Sequence, residues 1–194
     1  MTDTLREAFT GLDTFRAQPA AHGYPENVRH LFAPIDRVHE ALVSLCGAAS
    51  LSLVAAMYGW DDDEIDALFR AKLESDNVPV QLSLDKSQSG GVHEKAILAK
   101  WKPNEIGNSV AIGHSSKGAI SHDKMVVIDG QVTIAGSTNF SESGESKQNN
   151  EAVIVWDAVF AAEARARIDV IHDEMLKQMA VVPAPTGVRQ EATI

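Results

Sequence analysis

The sequence is poor in cysteine and in long apolar runs. Cys46 is the single cysteine among 194 residues, which excludes an intrachain disulfide framework and a zinc site built from several cysteines. It also favours a reducing compartment. The N-terminal residues lack a basic stretch leading into an apolar one, and no run of about 18 apolar residues occurs. We therefore expect a cytoplasmic protein with no leader and no stable insertion into a membrane.

Positive charge is also scarce. The chain has 17 Lys and Arg residues against 27 Asp and Glu residues, a net charge of −10, which repels phosphate polymers at long range and argues against tight, non-specific coating of DNA. An anionic substrate would therefore need a local basic site. The stretch 93–124 offers one candidate, because it holds five lysines against three acidic residues. A solvated loop with scattered lysines explains the region around 95–102 equally well.

The remaining composition is that of a globular chain, with 44% hydrophobic and 23% charged residues. Its length suits one domain. The mixed small and polar residues at the start predict a loosely docked N-terminal extension over 1–26, followed by one domain over 27–180. Residues 181–194 are expected to form a flexible C-terminal tail.

Strand-like and helix-like stretches alternate along the domain. A nearly continuous apolar run at 51–58 predicts a strand covered on both faces, and the apolar spacing at 160–179 predicts a long final helix. Further strands are predicted at 28–33, 78–84, 109–112 and 152–156, and further helices from 36, from 61 and over 92–101. The fold class is therefore α/β, a mixed β-sheet flanked by helices on both faces. The acidic cluster 61–66 is interpreted as a solvated helix start rather than a metal site.

The strongest local signal is a hairpin over 121–136. Two strand-like runs flank Asp129-Gly130, a pair suited to the positive φ angles of a tight turn. His122 and Lys124 stand two apart on the first predicted strand and should leave the same face. After the second strand, Ser137 and Asn139 return a hydroxyl and an amide to the same end. An imidazole, an ammonium, a hydroxyl and a carboxamide converging on one point suit a phosphodiester.

The spacing of these residues resembles a known signature. His122-Asp123-Lys124 is followed after four residues by Asp129, and after six more by Gly136-Ser137-Thr138-Asn139. This pattern resembles the H-x-K, D, G-S-x-N motif of the phospholipase D superfamily. The stretch from about 27 to 179, with Asn150-Glu151 after the polar loop, resembles the small single-motif branch typified by a bacterial endonuclease.

The resemblance implies a metal-independent and cofactor-free phosphodiesterase, with nucleic acid as substrate. His122 would be the nucleophile that forms a phosphohistidine, and Lys124, Asn139 and Ser137 would bind phosphoryl oxygens. Glu151 would orient the imidazole and Asp129 would fix the hairpin turn. The motif occurs once, so a homodimer is expected, in which the second His122 acts as the general acid and base.

Two more residues are candidates for substrate binding, and two other functions are alternatives. His114 and Lys117 are candidate substrate-binding residues in a loop that does not match a nucleotide-binding P-loop. Phospholipid is a possible alternative substrate, although no amphipathic basic helix supports it. A catalytically silent nucleic-acid-binding module is the third alternative. The other histidines are interpreted as structural or surface residues: His22, His30, His39, His93 and His172.

Overall fold

Seven strands pair into one mixed β-sheet in the computed structural model, which describes residues 3–89, 91, 95–96, 99–101 and 108–180. The strands are β1 (Val28–Ala33), β2 (Leu53–Met57), β3 (Val80–Asp85), β4 (Val110–Gly113), β5 (Lys124–Ile128), β6 (Val132–Gly136) and β7 (Asn150–Trp156). Their order across the sheet is β1-β7-β6-β5-β2-β3-β4. The pairs β2–β3 and β3–β4 are parallel, and the other neighbours are antiparallel. The predicted mixed sheet is confirmed.

Helices cover both faces of this sheet. They are α1 (Asp3–Thr10), α2 (Val38–Gly47), α3 (Asp63–Glu74), α4 (Lys86–Ser89), α5 (Glu142–Ser146) and α6 (Ala158–Ala180), with a 3-10 turn at Gly11–Phe15. The long α6 packs its apolar stripe on side chains of β2, β4 and β5. The first three helices cover the opposite face and enclose the larger core. This arrangement follows from the pleat, because successive residues of β2 face opposite sides and both sides are apolar.

The N-terminal segment is part of the core, so the prediction of a loosely docked extension is wrong for residues 3–15. Leu5 and Phe9 are 3% and 4% exposed, and Leu12 is fully buried. The ring of Phe9 meets that of Trp156 edge to face, with 5.3 Å between centroids. A helix of only eight residues is marginal alone, and this packing stabilises it.

Several local predictions are refined by the structure. The polar loop before Asn150 contains the short helix α5. The acidic cluster does begin a helix, since the Asp62 carboxylate accepts a hydrogen bond from the Ile65 amide at 2.7 Å. It is not wholly solvated, however, because Asp62 and Asp66 are buried. The predicted helix over 92–101 lies largely outside the described residues, and the predicted tail 181–194 lies entirely outside them.

His172 is structural, as predicted. It is buried, and its two ring nitrogens bond to the Ser83 hydroxyl at 2.9 Å and the Asn108 carbonyl at 2.6 Å. Within the part of the chain that the structure describes, no helix combines the length and the apolar character needed to cross a bilayer.

The register of the sheet determines where the functional side chains lie. Met57 at the end of β2 pairs with Lys124 at the start of β5. Gly136 at the end of β6 pairs with Ala152 near the start of β7. The ends of β2, β3, β4 and β6 and the starts of β5 and β7 therefore share one end of the sheet, which we call the site end.

Candidate active site

The hairpin β5–β6 carries the site at one end and is anchored at its other end, the turn. Asp129 and Gly130 have φ angles of 53° and 63°, as a type I′ turn requires. The Asp129 carboxylate accepts hydrogen bonds from the Ser50, Leu51 and Ser52 amides and from the Ser50 hydroxyl, at 2.7–3.1 Å. Asp129 thus ties the chain that enters β2 to the hairpin and fixes β2 beside β5. None of these hydrogen bonds reaches the groups at the site end.

His122 lies just before β5 and not on it, so the expectation that strand alternation aligns it with Lys124 is wrong. The strand begins at Lys124, and the His122 side chain is exposed. The two residues are nevertheless in contact, because the Lys124 ammonium donates a hydrogen bond to the His122 carbonyl oxygen at 3.2 Å. Lys124 is only 8% exposed. The structure therefore presents the imidazole to solvent, while the backbone carbonyl of the same residue contacts a buried cation.

Tyr58 connects these two residues and was not singled out from the sequence. Its ring meets the His122 ring edge to face, with 4.6 Å between centroids, and the Lys124 ammonium lies 5.0 Å from the Tyr58 centroid. The Tyr58 hydroxyl accepts a hydrogen bond from the Gln88 amide at 2.8 Å. Tyr58 directly follows the buried strand β2. Its position after β2, whose end pairs with the start of the antiparallel β5, is the feature from which the sequence could have indicated it.

Burial sets the electrostatics of Lys124. Desolvation lowers the pKa of its ammonium below the ordinary value, and the nearby Asp123 carboxylate only partly opposes this shift. A buried cation costs free energy unless an anion compensates it. A bound phosphoryl group would supply that compensation, and Lys124 is suited to such a role.

Ser137 and Asn139 are positioned by the loop that follows β6. The Ser137 hydroxyl accepts a hydrogen bond from the Glu151 amide at 3.0 Å. The Asn139 carboxamide oxygen accepts one from the Gly59 amide at 3.2 Å. A side chain at position 59 would approach Asn139 to within 3.1 Å, so glycine permits the close approach. With its oxygen engaged, Asn139 offers its NH2 group as a donor to a ligand.

Glu151 pairs with His30 in the described chain. Its carboxylate lies 2.9 Å from the His30 Nε2 atom. Its backbone carbonyl accepts hydrogen bonds from the Ser137 amide and the Thr138 hydroxyl. Among the described residues, no hydrogen bond joins the Glu151 carboxylate to the His122 imidazole, so the predicted contact stays a prediction. His30, interpreted from the sequence as a structural or surface residue, therefore belongs to the surroundings of the site.

The segment that presents His122 is held by Asp85, a second residue that sequence reasoning missed. Asp85 is fully buried at the end of β3. Its carboxylate accepts hydrogen bonds from the Ser121 amide at 2.6 Å and the Ser87 amide at 2.9 Å. A buried carboxylate needs such donors, and they fix the backbone immediately before His122. A lone acidic residue ending an apolar strand was the signal.

His114 and Lys117 follow β4 and are farther away. Their loop is closed by a backbone bond from Ser115 to Ala119 at 2.9 Å, and the His114 backbone is bonded to Gln178 of α6. Strand β4 is three positions from β5 in the sheet, roughly 14 Å at the usual strand spacing. Both residues lie at the site end, but the structure does not bring them into contact with His122. Their role in substrate binding stays a prediction.

A group of metal-ligand type lies outside this site. Among the described residues, one set of side chains has donor atoms close enough together to hold an ion: His39, Asp62 and Glu145.

The chain is similar to known proteins in sequence and in fold. The family model described as "Cardiolipin synthase, PLD-like domain" matches residues 42–172. The phospholipase D of Rickettsia prowazekii (strain Madrid E) is 26% identical over 136 residues, which are 70% of this chain and 62% of that protein. The chain thus spans about three fifths of the length of this relative.

Two solved structures share the fold. Nuc from Salmonella typhimurium, described as a phospholipase D family member, superposes with a TM-score of 0.63 at 23% identity, covering 78% of this chain and 94% of that one. NucT from Helicobacter pylori superposes with a TM-score of 0.63 at 19% identity, covering 77% of this chain and 95% of that one. At such identities the likeness shows the fold.

Proposed function

Since the chain belongs to the family of cardiolipin synthase, PLD-like domains, we propose that it is a metal-independent phosphodiesterase that cleaves nucleic acid through a covalent phosphohistidine. The catalytic groups are His122, Lys124, Ser137 and Asn139. Glu151 and Asp129 support them, the first beside the site and the second from the far end of the hairpin.

The observation that carries the proposal is the meeting of two sequence segments at the site end. His122 has an exposed imidazole, and its backbone carbonyl accepts a hydrogen bond from the buried ammonium of Lys124. Ser137 and Asn139 follow the neighbouring strand β6. A phosphoryl group requires a nucleophile together with donors for its non-bridging oxygens, because negative charge grows there as the bond to the nucleophile forms. These four side chains supply both functions without a metal ion.

The reaction has two steps and needs two histidines. In the first, a neutral His122 nitrogen bonds to phosphorus and the bond to the leaving oxygen breaks, while a second imidazole donates a proton to that oxygen. In the second, the same second imidazole takes a proton from water, whose oxygen displaces His122. One chain supplies the motif once, so we assign the second imidazole to His122 of a two-fold related subunit.

Nucleic acid is favoured as the substrate by the extent of the structural match. The chain resembles the single-motif branch in sequence, and it covers almost the whole length of the small proteins Nuc and NucT. The net charge of −10 predicts that binding depends on the local Lys124 and Lys117 cations of each subunit rather than on the overall field.

A phospholipid substrate is the second candidate, and one surface favours it. A cleft of about 390 Å³ beside Ser137 and Glu151 is lined by Phe32 and Ile35, whose side chains are 42% and 70% exposed. Exposed apolar residues next to a phosphodiester site would suit an acyl chain. The relative from Rickettsia is named a phospholipase D.

A substrate panel separates these alternatives. Plasmid DNA, single-stranded DNA, RNA and phosphatidylcholine vesicles are each incubated with the protein at 25 °C, with and without excess EDTA. We expect cleavage of nucleic acid in both conditions. Cleavage of the vesicles alone would assign the lipid substrate, and binding of nucleic acid without cleavage of any substrate would favour the silent module. Loss of all activity in EDTA from a protein whose melting temperature is unchanged would refute the metal-independent mechanism, because removal of an ion with only a structural role would lower that temperature.

The nucleophile and the dimer are tested by variants of histidine. His122→Asn should abolish turnover and leave the secondary structure intact, whereas His22→Asn, which alters an exposed histidine outside the site, should be fully active. When the reaction with a phosphorus-32 substrate is stopped with alkali, the His22→Asn protein should carry label and the His122→Asn protein should not. When it is stopped with acid, neither protein should carry label, because phosphohistidine is acid-labile. An active species that sediments as a monomer at micromolar concentration would contradict the shared site.

A further inference from the structure

A second cleft, away from the proposed catalytic groups, is strongly acidic. It has a volume of about 490 Å³ and lies between α2, the start of α3 and α5. Among the described residues nine line it, and seven of those nine carry a carboxylate. Such a concentration of negative charge on low-dielectric walls attracts cations.

Three side chains meet at the base of this cleft. The His39 Nδ1 atom lies 2.5 Å from the Glu145 Oε2 atom and 3.2 Å from the Asp62 Oδ2 atom. The donor atoms of all three residues lie within 4.8 Å of one another. On the other side of the ring, the His39 Nε2 atom bonds to the Glu64 carboxylate at 2.9 Å.

Of these three residues, Glu145 has a carboxylate oxygen that the described part of the protein leaves without a hydrogen bond. Glu145 is 1% exposed, and its buried Oε1 atom has no hydrogen-bond partner among the described residues. A buried carboxylate oxygen with no donor is costly, and His39 reaches only the other oxygen.

We propose that His39, Asp62 and Glu145 bind a divalent transition-metal ion of the zinc type. The three residues offer one imidazole nitrogen and up to three carboxylate oxygens if Glu145 binds through both of its oxygens. The ligands of a tetrahedral zinc ion stand about 3.4 Å apart at the usual bond lengths, and the His39–Asp62 separation of 3.2 Å is close to that value. Binding removes the proton from Nδ1 and lengthens the short His39–Glu145 contact.

The second nitrogen of His39 strengthens this assignment. A metal-bound histidine usually donates its other N–H to a carboxylate, which fixes the tautomer and raises the basicity of the ligating nitrogen. Glu64 occupies that position. The imidazole also predicts selectivity, because Mg²⁺ and Ca²⁺ prefer sites made of oxygen alone, whereas zinc binds nitrogen and oxygen together.

The position of the ion gives it a structural role that is separate from the proposed reaction. Helix α5 follows the loop that carries Ser137 and Asn139. The Phe140 carbonyl at the end of that loop accepts hydrogen bonds from the Asp61 and Asp62 amides at 2.9 Å and 3.2 Å. An ion between Glu145, Asp62 and His39 would join α5 to α3 and α2. It would hold this loop in place without touching the phosphoryl group.

Direct binding measurements on the full chain, without substrate, test the proposal. Protein stripped with chelator and then dialysed free of it is titrated with ZnCl2, and separately with MgCl2, by isothermal calorimetry and native mass spectrometry. We expect one zinc per chain with a dissociation constant in the micromolar range or below, and at least about 100-fold weaker binding of magnesium. Zinc at 100 times that constant should raise the melting temperature by about 5 to 10 °C.

Matched variants locate the ion. Glu145→Gln should lose zinc binding, and Glu64→Gln should weaken it by about 10- to 100-fold. Glu142→Gln, which changes an exposed carboxylate of the same cleft, should bind like the wild type. Failure of the wild type to bind zinc at 100 μM would overturn the proposal, as would Glu145→Gln and Glu64→Gln variants that bind normally. The Glu64→Gln result applies even if Glu145→Gln fails to fold, because Glu64 is an exposed side chain.

Discussion

Replacing Asp129 tests whether this motif residue is structural. Its carboxylate accepts hydrogen bonds from three backbone amides and one hydroxyl, and each bond to a charged group contributes about 1.5 to 3 kcal/mol. The contributions are not additive, and water reaches the exposed Ser50 and Leu51. We therefore expect Asp129→Ala to lower the free energy of unfolding by about 3 kcal/mol, which includes about 1 kcal/mol for placing alanine at a φ of 53°.

Two further variants at this position divide the effect. Asp129→Asn tolerates the positive φ and keeps one acceptor oxygen, and in the structure one oxygen serves all three amides. It should therefore lose only about half as much free energy of unfolding as Asp129→Ala. Asp129→Gly removes the backbone strain and the carboxylate together, so its free energy of unfolding should lie between those of the other two variants. The free energies come from urea unfolding followed by circular dichroism, and turnover is measured on the folded fraction. An Asp129→Asn variant with wild-type stability but without turnover would refute the structural role.

Two other substitutions address the site end of the sheet. Lys124→Met should abolish turnover yet match or exceed the wild type in stability, because burial lowers the pKa of Lys124 and so makes its charged form costly in the folded state. This cost is fully present below the folded-state pKa and fades as the pH rises toward 10.5. The urea midpoint of Lys124→Met should therefore exceed that of the wild type by less at pH 10 than at pH 8. Gly136→Ala should destabilise by about 2 to 4 kcal/mol, because a Cβ atom would lie 2.2 Å from the Glu151 carbonyl oxygen. Gly130→Ala is the control, because a Cβ atom at position 130 meets nothing within 4 Å and only the φ angle of 63° disfavours alanine there. Equal melting temperatures for the two variants would contradict the steric argument.

The fold was predictable where local pattern and tertiary environment agree. Three local patterns each indicate one structure: the apolar run of β2, the Asp129-Gly130 turn and the apolar spacing of α6. The structure confirms all three. The N-terminal helix was missed because its apolar positions are few and lie among polar residues. Its docking depends on partners such as Trp156 that are distant in sequence.

The site was predictable as a set of residue types and less so as a geometry. Motif spacing selected His122 and Lys124, but the position where β5 begins depends on its pairing with β2. Asp85 and Tyr58 could not be ranked from the sequence, because their importance comes from strands that only the sheet order makes adjacent to the hairpin. Glu145, unlike those two residues, gave no signal in the sequence, since its burial depends on the packing of α5 against α2.

Tyr58 provides a test of whether His122 must be positioned as well as present. The Tyr58 ring contacts the His122 ring and the Lys124 ammonium, whereas its hydroxyl serves Gln88. Tyr58→Phe keeps the ring contacts, so its kcat should stay within about twofold of the wild type. Tyr58→Ala frees the imidazole and should lower kcat by about 10- to 100-fold with a smaller change in KM. If Tyr58→Phe were as impaired as Tyr58→Ala at equal stability, the hydroxyl rather than the ring would be the group required, and the positioning argument would fail.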